Sequence, residues 1–131
     1  MNRNGEELLR VLLVDPSKHP RTVELPDTME AMQQAVGGLI QAIYPFEEPV
    51  ALVCNDEGKL MGLPLNRGLR TEDRTLYDIV CGTFFLCAAP PDGDSFESLS
   101  EEQLVRYEER FHSPEVFFRL GGQIICLPEE P

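Results

Sequence analysis

The side chains best suited to gripping a ligand lie in the middle of this 131-residue chain: Asn55, Asn66, Arg67, Arg70 and Asp78. The guanidinium of Arg67 offers a planar fork that fits a carboxylate or a phosphate, and the neighbouring amides can floor a polar pocket. Asp78 stands inside the apolar run from Leu76 to Ala88, where an unpaired carboxylate is costly, so Arg67 or Arg74 is its expected partner. The same residues also suit a structural role, as an ion pair that specifies the fold and amides that cap loops. Both readings stay open at this level.

Nucleophilic catalysis finds little support. Ser95, Ser98 and Ser100 fall in a loop or at a helix cap, and neither His19 nor His112 has an acid at a recognisable spacing. His112, just after a predicted helix, suits a capping role, with a functional role for the imidazole as the alternative. The chain has no glycine-rich phosphate loop, no HExxH, no GxSxG and no calcium loop. Cys54, Cys81, Cys87 and Cys126 each sit in an apolar run without CxxC spacing, which predicts buried free thiols rather than a zinc site. No catalytic residue, metal or cofactor is expected, and the chain reads more readily as a binding protein than as an enzyme.

Charge gives the second candidate. The formal net charge is −12, and residues 92–131 hold ten acids against three bases. Asp92, Asp94, Glu97, Glu101, Glu102, Glu108 and Glu109 form the densest stretch, a prospective surface for a basic protein partner. The same charge disfavours direct contact with nucleic acid or an anionic membrane. Solubility alone is the plainer explanation.

These residues need elements to position them. Leu8–Val14 and Arg21–Leu25 read as a strand hairpin, and Asp27, with Glu30 three residues on, as the start of a helix that Gly37-Gly38 ends. Leu39–Tyr44 and Val50–Cys54 follow as strands, the second continuous enough in apolar character to be central. Lys59–Gly62 is expected to return as its hairpin partner across the Asn55–Gly58 turn, with a loop from Leu63 to about Arg74. Gly82 should bend the run before a core strand at Thr83–Ala88. Ser100 and Gln103 mark a second helix, and Val116–Leu120 and Gln123–Leu127 flank a Gly-Gly turn and close the sheet. The expected architecture is a single α+β domain over residues 1–128, with residues 129–131 as a tail. Its sheet is mixed, mostly antiparallel, of about five to seven strands, with two main helices packed on it. With no membrane-length apolar run and no secretion signal at Met1–Glu7, the cytoplasm is the expected compartment.

Three strings carry a family resemblance: Val50–Leu60 with its Asn55-Asp-Glu-Gly58-Lys-Leu60 turn, Gly62-Leu-Pro64-Leu-Asn66-Arg67, and Tyr77-Asp78-Ile-Val-Cys-Gly82. Together with Val36-Gly37-Gly38 and Ile43-Tyr44-Pro45, they resemble the domain-of-unknown-function family 3846. That resemblance implies small proteins of Firmicutes, their phages and conjugative elements, with no established activity. It therefore implies an accessory protein acting through another macromolecule. A small-molecule or nucleotide-derivative binder with a pocket near Asn55, Asn66 and Arg67 is the alternative. Self-association through Leu39–Ile43 or Val116–Leu120, if exposed, is a third.

Overall fold

Three apolar runs build the centre, and each is buried on both sides. A computed structural model describes residues 7–129. In it β1 (Leu8–Val14), β2 (Arg21–Pro26), β3 (Ile40–Ile43), β4 (Val50–Asn55) and β7 (Phe84–Ala88) form one sheet in the order β2-β1-β7-β4-β3, antiparallel at every pairing. The two-residue period of a strand splits each inner run between two cores. Val11, Ala51, Val53, Phe85 and Cys87 face α1 (Met29–Val36), whereas Leu12, Val14, Leu52, Phe84 and Leu86 face α2 (Glu101–Arg110). The domain is thus α+β, with one helix on each face of the sheet.

Helix α1 begins one residue later than the sequence suggests. Thr28, in extended conformation, is the N-cap and its Oγ1 accepts from the Ala31 N–H at 3.1 Å, so Asp27 and Glu30 form no capping box. Gly37 ends the helix at φ +82°, a conformation that costs glycine little. Helix α2 carries the full capping box of Ser100 and Gln103. Its buried Leu104 and Tyr107, with Phe111 at the C-cap, pack on the sheet.

Two expectations about the middle of the chain are corrected. Lys59–Gly62 does not form a strand: it coils into a tight turn in which Met61 N–H donates to Glu57 O and Leu63 N–H to Gly58 O. Both edges of β4 are already taken, one by β3, in register from Ile40 opposite Asn55 to Ile43 opposite Leu52, and the other by β7. The segment assigned to a loop instead contains β5 (Leu65–Arg70), paired with β6 (Leu76–Cys81). Gly82, at φ +81° and packed so that a Cβ would lie 2.7 Å from Leu63 Cδ1, turns the chain from β6 into β7. The last hairpin, β8 (Glu115–Leu120) with β9 (Gln123–Pro128), does not close the main sheet. It forms its own two-stranded unit beside β5, so the main sheet has five strands, within the expected five to seven, and the other four described strands make two separate hairpins. Apart from Glu129, the tail lies outside the described residues, as do the first six positions. No helix among the described residues is long and apolar enough to cross a membrane.

Candidate functional site

Strand β5 buries what the sequence offers as ligand-binding groups. The Asn66 Nδ2 donates to Val14 O at 2.9 Å and Gly82 O at 2.8 Å, and its Oδ1 accepts from Arg67 Nη1 at 2.9 Å. Arg67 is wholly buried, donating from Nε to Phe111 O at 3.0 Å and from Nη2 to Lys18 O at 2.6 Å. Burial pulls its pKa down, with Glu115 the first opposing charge. The pair therefore ties β1, β5, the 15–20 loop and the end of α2 together through main-chain carbonyls.

Asp78 is not the partner of Arg67. Its side chain is 42% exposed and binds Lys59 Nζ at 2.5 Å, which raises the lysine's pKa. Strand β6 belongs to a peripheral hairpin, so its carboxylate reaches solvent, and Arg74 makes no contact with it in place of Arg67. Asn55 donates to Val36 O and accepts from the Glu57 N–H, which fixes the end of α1 against the turn after β4. Asn55 and Asp78 share a small depression of about 180 Å³ with Lys59, while Asn66 and Arg67 lie elsewhere. Cys54, Cys81 and Cys87 are buried free thiols as expected, whereas Cys126, on the peripheral β9, is free but only half-buried; burial pushes Cys87 up to about 12. His112 Nδ1 donates to the Glu108 carboxylate at 2.8 Å, and the ring stacks on His19, ring centroids 4.4 Å apart.

The acids of residues 92–110 do not make one unbroken face. Asp92, Asp94, Glu97, Glu102 and Glu109 are exposed, but Glu101 is held by Arg10 at 2.7 Å and Glu108 by His112. Arg106 and Arg110 interleave with the acids on α2. Asp94 instead joins carboxylates from distant segments around an open cleft of about 850 Å³. Asp27, Glu47, Glu48 and Asp94 line it, with no Lys, Arg or His among the lining residues. Met29, Met32, Ile40, Tyr44, Pro90 and Phe96 supply its apolar surface. Asp27, Glu47 and Glu48 are the members that sequence reasoning missed. The one local hint is the Glu47-Glu48 pair braced between Pro45 and Pro49.

Glu48 is the best-held of these acids. The Tyr107 hydroxyl donates to it at 2.5 Å and Arg106 pairs with it, and these two contacts lower its pKa. A depressed folded pKa gives stability that is present above the unfolded carboxylate value and lost as pH falls through the folded one. Glu48→Gln is therefore expected to cost about 1 kcal/mol at pH 7. The difference from the parent protein should shrink in urea titrations as the pH falls below the ordinary carboxylate range and through the lowered folded value. A pH-independent difference would assign the loss to packing instead.

This geometry defines a small α+β domain with a cleft whose lining is acidic and apolar. The chain belongs to the family described as a domain of unknown function, DUF3846, whose model matches residues 9–112. No curated protein and no solved structure matches it. The match ends before the β8–β9 hairpin, on which Phe118 and Leu120 are 51% and 66% exposed. Leu39, beside β3, is also exposed.

Proposed function

We propose that the protein is a non-enzymatic accessory module that binds a basic, amphipathic segment of a protein partner in the acidic cleft. The observation that carries this reading is the lining itself: an apolar floor, no cationic side chain among the lining residues, and four carboxylates of which, among the described residues, only Glu48 is paired, with Arg106 from outside the cleft. Asp27 and Asp94 have no cationic partner among the described residues. A partner lysine or arginine gains charge complementarity at the rim, and its apolar neighbours cover Met29 and Tyr44, which are exposed. A setting in phages or mobile elements, as the family resemblance implies, suits such an accessory role.

The test is fluorescence anisotropy with a labelled peptide that alternates leucine with lysine and arginine. Binding should weaken about tenfold as salt rises from roughly 50 to 300 mM. Asp27→Asn combined with Asp94→Asn should weaken it about three- to tenfold at low salt, because rim charges each contribute modestly. Equal affinity in the double variant, or no binding at low salt, would sink the proposal.

A further inference from the structure

A second cleft, of about 960 Å³, lies on the other side of Glu47 and Glu48 and has a different chemistry. Although the chain holds only 11 Lys and Arg, Arg70, Arg74, Arg106 and Arg110 all line this one cleft. Two of them are neutralised. Arg70 forms a two-point pair with Glu115, at 3.0 and 3.2 Å, and Arg106 pairs with Glu48.

The other two guanidiniums are available. Neither Arg74 nor Arg110 has a carboxylate within ion-pair distance among the described residues. Arg110 is held in place with its Cζ 4.8 Å from the centre of the Phe46 ring. Arg74 is presented by the β5–β6 turn in the left-handed conformation, φ +69°, which arginine rarely adopts. That turn is braced by Arg74 N–H donating to Thr71 O and Thr71 N–H donating to Thr75 O. The remaining acids of the cleft are Glu47 and Glu72, and the neighbouring Glu72 carboxyl raises Glu47 above its ordinary value. Tyr77, 53% exposed, offers a planar surface on the same wall.

We propose that this arginine cleft binds a phosphate monoester carrying a planar ring, a nucleoside monophosphate, with the phosphate between Arg74 and Arg110 and the ring against Tyr77. Charge decides among phosphate ligands. Two free guanidiniums balance the two charges of a monoester dianion, whereas a triphosphate brings further negative charge to Glu47, Glu72 and a chain of net charge −12. A nucleic-acid strand meets the same penalty at every phosphate.

Calorimetric titration with adenosine monophosphate tests this, alongside inorganic phosphate, adenosine, adenosine triphosphate and a single-stranded oligonucleotide. The monophosphate should bind best, phosphate more weakly, and adenosine not measurably. Arg110→Gln and Arg74→Asn should each weaken monophosphate binding about tenfold, the loss of a charge-assisted contact. Asparagine tolerates the turn conformation at position 74, and an unchanged melting temperature shows that either variant is folded. Glu72→Gln should tighten binding a few-fold, while Arg119→Glu, outside the cleft, should leave it unchanged. No binding of the monophosphate, equal binding of adenosine, tighter binding of the triphosphate or oligonucleotide, or indifference to both arginine variants would overturn the proposal. The acidic cleft stands or falls separately, on the peptide experiment.

Discussion

Arg67→Met is expected to lower the stability of the fold by about 3–5 kcal/mol, read from the urea midpoint at constant slope. Methionine approximates the volume of the side chain, so packing is largely kept and the loss isolates the polar contacts. Phe111 O and Asn66 Oδ1 would each lose a donor in a buried site, and Lys18 O would lose one in a partly buried site. An unsatisfied buried acceptor costs about 1–3 kcal/mol, and these three come from separate parts of the chain. Arg67→Lys should recover little, because a single ammonium cannot reach carbonyls that the guanidinium spans in a plane. A loss under about 1 kcal/mol would mean that water replaces the guanidinium and that the site is more open than the burial indicates. Since a domain of this size is stable by roughly 5–15 kcal/mol, the methionine variant should be folded but marginal.

Phe84→Ala should cost a similar amount, about 3–5 kcal/mol, for a different reason: it leaves a cavity in a close-packed core. Phe84 is fully buried and meets Phe111 edge-on, with ring centroids 5.6 Å apart. Phe111 in turn meets Phe46, and Phe46 packs on Tyr107 at 4.8 Å. This line of rings runs from the sheet through the end of α2 to the 44–49 segment, the wall between the two clefts. Beyond the global loss, amide hydrogen exchange should therefore accelerate most in α2 and around Phe46. Phe118→Ala, on the half-exposed face of the last hairpin, should change stability by no more than about 1 kcal/mol. If the two alanine variants were equally destabilised, the ring line would not be carrying the contact between sheet and helix.

Legibility from sequence followed burial and locality. Strands β1, β4 and β7 are runs of apolar residues long enough to need cover on both faces, and they were readable for that reason. Helix α2 announces itself through a local motif, Ser100 with Gln103, whose partners are three residues apart. Strand β5 was not readable, because Asn66, Arg67 and Gly68 at its centre are polar or featureless on any strand scale. They become intelligible only when their distant acceptors are seen. Asp78 misled for the converse reason. Its apolar neighbours suggested a core strand, yet the hairpin containing it lies at the periphery, and Lys59 is near enough to serve as its partner.

The candidate sites divide the same way. The sequence by itself determined the α+β class, two-sided burial of the inner strands, free thiols in the core, a strongly acidic surface and family membership, since these depend on composition, period and short motifs. Tertiary structure alone decided which charges act together. The acidic cleft draws on residues 27–32, 40–49 and 89–96, and the arginine cleft on residues 45–48, 70–77 and 106–110. Sheet order β2-β1-β7-β4-β3 and the docking of α2 bring those segments side by side. Charges far apart along the chain interact only at the distances that folding sets, and no spacing in the sequence records those distances.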